Sequence, residues 1–457
     1  MPCGSGPGRC SSPRLRPRAE AAAARESTAP PTFLQADHLR TADPGAPVYL
    51  GMVTTIAGVL DTARLVKAVS AFVRTHDGLR TWFDRADTAP VRRIVAPEAV
   101  AFEAVPLPDP APTGWTDALL RHFESAVSPF EWPGACFAAI PREHDFELVF
   151  VADHAFSDGI SQAMAAAELT ARYHGTNPAT VSGDDNADYA LREHERADDS
   201  LADALYPYWE HALGRTGFRL PGAPIDLGVP EGSRHRRSLR RTELLATTAA
   251  DSFDRCVAAS GATMAAGVFT ALALTEFELT GRERFWTLNV ASVRHGRRFA
   301  TSQGWFCNFV PMTFPLGEQP TFLGTLAAAH RAVVHTRRMS RLPAHAALGR
   351  LMASGRGAEL VTREPYFVTV LDLRHGTRSA ANDPDTRLFT ADTDTSTVSI
   401  WVGRDDTRYP LGLGAPDVAV ATERLADYTD RLCRIMAAIA VTGDYTAEAP
   451  AADPVHP

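Results

Sequence analysis

One stretch of this chain limits the folds open to it more than any other. Phe146-Glu147-Leu148-Val149-Phe150-Val151-Ala152 has the length and residue types of a buried strand. Asp153-His154-Ala155-Phe156-Ser157-Asp158-Gly159 follows, and Ile160 to Leu169 then has the composition of a helix. Strand, tight turn and helix in direct succession call for an α/β fold. His154 falls at the strand end, with Asp158 four positions on and Gly159 after it. A base held there is rigid and still open to a substrate, which suits general-base catalysis.

Bulk properties narrow the classes. At 457 residues the chain is too long for one ordinary domain, so two or three are expected. A net charge of -8 argues against a nucleic-acid binder, which would show a basic face. Lys67 is the only lysine, which excludes a Walker-type phosphate loop and argues against Schiff-base chemistry. The cysteines at 3, 10, 136, 256, 307 and 433 form no CxxC pair and read as reduced thiols, with Cys307 as small apolar filler. No apolar run reaches the roughly 20 residues of a membrane helix. The N-terminal residues carry no apolar central region, so no secretory signal is expected and a cytoplasmic location is. His330, His335 and His345 lack the i, i+4 spacing of a metal pair, and no metal is expected. His335 beside Arg337 and Arg338 reads as a solvated cationic face.

Along the chain, residues 1–31 read as a disordered tail rich in Pro, Arg and Ala. Val48 to Ile56 is a strand, and Asp61 caps a helix with Leu65, Val69, Phe72 and Val73 on its apolar face. The Pro/Gly-rich crossing Leu220 to Pro230 marks a boundary, dividing the chain into halves at 32–218 and 219–445, with 446–457 as a second tail. The second half opens on a strand, Ser238 to Leu245. A long helix follows over Phe253 to Leu274, Gly281 ends it, and Phe285 to Val290 is the next strand.

The turn resembles the HHxxxDG signature of the condensation-domain and chloramphenicol-acetyltransferase-like acyltransferases. His154 matches the second histidine, Asp158 and Gly159 match the DG, and Asp153 stands where the first histidine would. Other segments agree in order. Arg74-Thr75-His76-Asp77-Gly78-Leu79-Arg80-Thr81-Trp82-Phe83 is similar to RHExLRTxF, with His76 read as a packing residue at a helix end. Asp188-Tyr189-Ala190 and Tyr208-Trp209 are similar to the DYA and YW elements. Asn289 to Arg294 resembles a family strand ending in arginine, and Gly304 to Met312 resembles GxFxNxxPL. Thr395 to Arg404 and Ala421 to Tyr428 look like the C-terminal part of free-standing polyketide-associated (Pap-type) acyltransferases.

This resemblance, spanning Thr32 to Val441, implies two chloramphenicol-acetyltransferase-like α/β halves in a V, with a site in the tunnel between them. It implies a donor thioester on coenzyme A or on a carrier protein's phosphopantetheine, a hydroxyl or amine acceptor, no bound cofactor, and His154 as base. Asp158 is then expected to pair with Arg294, with Arg297 and Arg298 as rivals, and to orient the loop. Asn308 and Ser292 are candidate oxyanion donors, and each reads equally as a residue satisfying the backbone. Trp305 is a tunnel candidate that reads equally as core packing. Asp153 is expected to support the site without touching the ring of His154, because adjacent strand side chains face opposite ways. Two other functions fit the motif: a condensation enzyme joining carrier-bound substrates, and a non-catalytic scaffold, which would be expected to lose His154 or the Asp158-Gly159 pair.

Overall fold

The computed structural model describes residues 13–17, 24–86, 89–106, 115–176, 186–295, 298–357, 364–374 and 386–450. The chain forms two α/β units. The first comprises the described residues through His194 with Arg294–Phe306 and 386–391; the second comprises the remainder.

The first unit is built on a six-stranded sheet in the order Thr386–Thr390, Tyr49–Ala57, Asp145–Asp153, Ala135–Pro141, Pro13–Pro17, Phe102–Pro106. Every neighbouring pair in it is antiparallel. The strand before His154 lies inside this sheet with both faces covered, which is why its sequence is a continuous apolar run. Phe146, Leu148, Phe150 and Ala152 pack with Leu65, Val69, Phe72 and Leu169 of the helices Thr62–Thr75 and Gly159–Tyr173. Val149 and Val151 point the other way, into a cluster with Leu119 and Phe123 of the helix Trp115–Ala126. Asp61 caps the first of these helices, its carboxylate accepting from the N–H of Arg64 at 3.0 Å. A separate three-stranded sheet joins Ala24–Glu26, Val91–Val95 and Thr81–Asp84.

The second unit carries a seven-stranded mixed sheet in the order Cys307–Pro315, Arg284–Ser292, Phe367–Asp372, Ser399–Arg404, Arg408–Pro416, His235–Ala246, Asp394–Thr395. Its two internal pairings around Phe367–Asp372 are parallel. The helix Met264–Thr280 is buried on nearly all sides against this sheet and the long helix Ala419–Thr442. Gly281 ends it at φ 67°, a left-handed conformation that suits glycine. Among the described residues no single helix is long and apolar enough to cross a membrane.

Three expectations from sequence are corrected. Within the segment read as a tail, Pro13–Pro17 is an internal strand of the first sheet and Ala24–Glu26 a strand of the small one. The prolines stand at the strand ends, where a missing N–H is tolerated, and Leu15 is buried. At the other end Ala447 is buried and its N–H donates to Pro320 O at 2.9 Å, while 451–457 lie outside the described residues. The boundary falls at His194/Glu195, inside the helix Asn186–Asp198, instead of at 218/219. It moves because the helix Ser200–Gly214 packs through Leu205, Trp209 and Leu213 onto Val310 and Leu351 of the second unit.

Candidate active site

His154 leaves its strand into one turn of 3-10 helix, His154–Phe156, and Asp158 then opens the helix Gly159–Tyr173. Three hydrogen bonds fix the turn. The His154 N–H donates to Val48 O at 2.9 Å. The Ala155 N–H donates to Asp153 Oδ1 at 2.8 Å. The third is decisive for chemistry: His154 Nδ1 lies 3.1 Å from Ser157 O. A carbonyl can only accept, so Nδ1 carries the proton and the lone pair of the neutral ring is on Nε2. Burial pushes the imidazole below its ordinary value, and charge on His38 pushes the same way. The backbone hydrogen bond, Asp153 and Asp158 oppose it without winning. The ring is therefore neutral at neutral pH, with its lone pair on Nε2.

Asp158 is held by four donors. The Arg294 guanidinium forks onto it at 2.7 and 3.1 Å, the Ser161 N–H caps it at 2.7 Å, and the Phe306 N–H reaches it at 2.9 Å. Burial works against its charge, but Arg294 and the hydrogen bonds outweigh burial and hold the carboxyl below the usual range. Arg298 instead pairs with Asp188, and Arg297 lies outside the described residues. Arg294 is as closely enclosed as Asp158, with its guanidinium 4.6 Å from the Phe306 ring centroid.

The segment Arg294–Phe306 follows a strand of the second unit yet belongs to the first. Ser161 Oγ accepts from Arg294 at 2.6 Å and donates to Gly304 O at 2.8 Å. Gln303 Nε2 donates to Ser161 O at 3.1 Å. A side chain at Gly304 would meet Asn186 and Phe306 at 2.7 Å, so the close approach needs glycine. The segment carries Trp305 onto His154, with ring centroids 3.9 Å apart and planes inclined by 32°. Gly159 differs: no atom lies within 4 Å of where its Cβ would stand, which leaves room beside the helix start.

His154, Asp153, Asp158, Gly159, Arg294 and Trp305 thus fall together in the first unit. Asn308 and Ser292 lie on strands of the second. Asn308 is removed from the oxyanion candidates, because its side chain is fully engaged. Its Nδ2 donates to Ser340 O at 3.0 Å and Leu342 O at 2.7 Å, and its Oδ1 accepts from the Ala344 N–H at 2.9 Å. Ser292 is half-buried and pairs in register with Cys307. His76 bonds Glu168 at 2.9 Å in the interior. His335 is stacked on Tyr208 with centroids 5.2 Å apart.

Sequence reasoning missed the helix Phe33–Thr41 as part of the site. Gln35 Nε2 donates to Ala155 O at 2.7 Å, and His38 Nε2 donates to Asp153 Oδ1 at 2.8 Å. Behind them Arg92 bonds Gln35 Oε1 and Asn186 Oδ1, each at 2.9 Å. A signal existed: Thr32 and Gln35 form a capping box, and His38 lies one turn beyond Gln35 on the same face.

The condensation-domain family model matches residues 47–415. The chain belongs to the condensation-domain family. Among condensation-domain relatives, the trehalose-2-sulfate acyltransferase PapA2 of Mycobacterium bovis (strain BCG / Pasteur 1173P2) is 25% identical over 436 residues, 90% of each chain. The solved structure of a PapA2 acyl transferase superposes with a TM-score of 0.82 at 22% identity, covering 94% of this chain and 97% of that one. The condensation domain of the Monacolin K polyketide synthase MokA gives 0.72 at 17% identity, covering 93% and 100%. The condensation-domain fold is therefore shared throughout, and the named relative is an acyltransferase.

Proposed function

We propose that this acyltransferase moves an acyl group from a thioester to a hydroxyl acceptor, forming an ester, with Nε2 of His154 as general base. The thioester is on coenzyme A or on a carrier protein's phosphopantetheine. The acceptor O–H gives its proton to Nε2 as its oxygen bonds to the thioester carbonyl carbon. The carbonyl electron pair moves onto oxygen, giving a tetrahedral oxyanion. Collapse of that intermediate breaks the C–S bond, and the imidazolium returns its proton to the departing thiolate. No acyl-enzyme is formed, since no serine or cysteine sits in a nucleophile motif.

With Asn308 engaged elsewhere, we assign the oxyanion to the open space beside Gly159, at the positive end of the helix Gly159–Tyr173. Asp158 and Arg294 hold that helix end and the Trp305 segment in place and do not touch substrate. The indole beside His154 favours the imidazolium that forms during transfer. Because PapA2 is named for acylating trehalose-2-sulfate, a hydroxyl of a sugar or similar polyol is favoured over an amine, and lipid biosynthesis is the favoured setting.

The observation that carries this reading is the Nδ1–H bond to Ser157 O, which leaves Nε2 as the base. The test is thiol release from acyl-CoA and acyl-pantetheine donors, with alcohol and amine acceptors, for wild type and His154→Ala. Acceptor-dependent release falling about 10²- to 10⁴-fold in the variant is the expected result. The wild-type acid limb should lie below the ordinary histidine value, because the folded ring is held neutral. Normal turnover by a folded His154→Ala overturns the base assignment. No release from either protein, even with carrier-bound donors, overturns the transfer reading.

A further inference from the structure

The HHxxxDG pattern puts a second histidine directly before the base, and this chain has Asp153 there. A carboxylate is a costly replacement: Asp153 is 1% exposed and needs donors. It has two on one oxygen. Ala155 N–H supplies one from the turn itself, and His38 Nε2 supplies the other from the helix Phe33–Thr41, both at 2.8 Å. The histidine missing from position 153 is thus present in space, brought by another element.

We propose that His38 and Asp153 form a positioning pair that sets the orientation of His154, acting through the turn backbone and through Trp305. The proposal rests on the reading of His154 as base. Two contacts carry it. Asp153 joins His38 to the N–H of the residue directly after His154, while Gln35 on the same helix holds the carbonyl of that residue. Ala155 is therefore held at its N–H by Asp153, which His38 braces, and at its C=O by Gln35 of the same short helix. The His38 ring also meets Trp305 edge-on, with centroids 6.1 Å apart and planes at 84°. Trp305 in turn lies on His154. His38 thus braces both the backbone that carries the imidazole and the aromatic that covers it.

An ordinary buried ion pair would stabilise the fold and leave the rate of the chemical step alone. A positioning pair does not. The charged groups around His154 are His38 from the helix Phe33–Thr41, Asp153 from the strand end, and Asp158, itself neutralised by Arg294. Charge on His38 pushes the imidazole down and charge on Asp153 pulls it up. Removing them separately must therefore move it in opposite directions.

The experiment uses His38→Gln and Asp153→Asn in the full chain. Both substitutions are close in shape, and Asp153→Asn keeps the oxygen that the Ala155 N–H needs. His154 is followed by NMR titration of ring-labelled histidine, its signal assigned by its loss in His154→Ala, and in parallel by the pH profile of kcat/KM. His38→Gln should raise the His154 transition, and Asp153→Asn should lower it. Each should lower kcat about tenfold with KM little changed, since orientation and not binding is lost. Shifts in the same direction, or a transition where wild type has it, overturn the pair, as does a kcat equal to wild type in both variants. The NMR titration needs no turnover, so a failure of the acyltransfer reading is seen separately, as a wild type without activity.

Discussion

In the first unit the buried polar side chains Asp153, Ser157, Asp158, Ser161 and Gln162 lie together at one strand end and the start of one helix. In the second unit buried polar groups are dispersed, and several are consumed locally. Asn308 ties a strand to the backbone at Ser340, Leu342 and Ala344. Glu276 accepts from the Tyr366 hydroxyl at 2.9 Å in the interior. Arg404 is clasped by Asp251 and Asp254. The first unit gathers one polar cluster beside His154, whose Nε2 meets no hydrogen-bond partner among the described residues. The second spends its polarity on its own interior, and its chain supplies the first unit with Arg294–Phe306 and 386–391. Two sheets with helices on them can therefore look alike while their buried polar groups are arranged differently.

Substitutions can break or sharpen this contrast. The largest effect is expected from Arg294→Ala, which leaves the Asp158 carboxylate buried without its cation. Chemical unfolding should show a loss of about 3–5 kcal/mol, and transfer should be lost with it. Because Asp158 is held below its usual range, the wild-type advantage is present at neutral pH. It should begin to fade at the ordinary carboxylate value, where the unfolded chain takes up the proton, and be gone once pH has fallen through the lower value of the folded state. Next comes Asn308→Ala, which strands backbone groups at a cost of about 1–3 kcal/mol each. Its kcat at a temperature where it is folded should stay close to wild type; a drop of a hundredfold would return Asn308 to the oxyanion.

A smaller and opposite effect is expected at Glu276. Burial pushes its carboxyl up to about 8, so the folded state holds a proton that the unfolded chain releases near its usual range. Stability should therefore fall as pH rises from the carboxylate range through about 8. Glu276→Gln should remove that fall, gaining on the order of 1–3 kcal/mol at alkaline pH without changing kcat. The smallest effect is at the surface, where Arg356→Ala breaks a half-exposed pair with Glu210 and should change stability by about 0–1 kcal/mol.

What could be read from sequence was whatever is set by local order. The apolar run before Asp153, the Asp61 cap, the stop at Gly281 and the turn with its histidine all follow from neighbours along the chain. What could not be read was set by distant pairing. Pro-Arg-Leu-Arg-Pro has no strand-like composition, and becomes a strand because Phe102–Pro106 and Ala135–Pro141 offer it edges on both sides. His38 was invisible for the same reason: its meaning lies in Asp153, 115 positions away. Asn308 was left open between oxyanion donor and backbone partner because the backbone groups that occupy it come from around position 342, beyond the reach of any motif.

The strand Thr386–Thr390 pairs with Tyr49–Ala57 along its whole length. During synthesis the Tyr49–Ala57 strand emerges early, and its outer edge has no native partner until residue 390 has left the ribosome. For most of translation that edge is a template for another chain. The order in which the polypeptide is made therefore puts the sheet that carries His154 at risk for longest. A cell making this protein would be expected to lose it to aggregation when translation stalls within the second unit, before the closing strand has emerged.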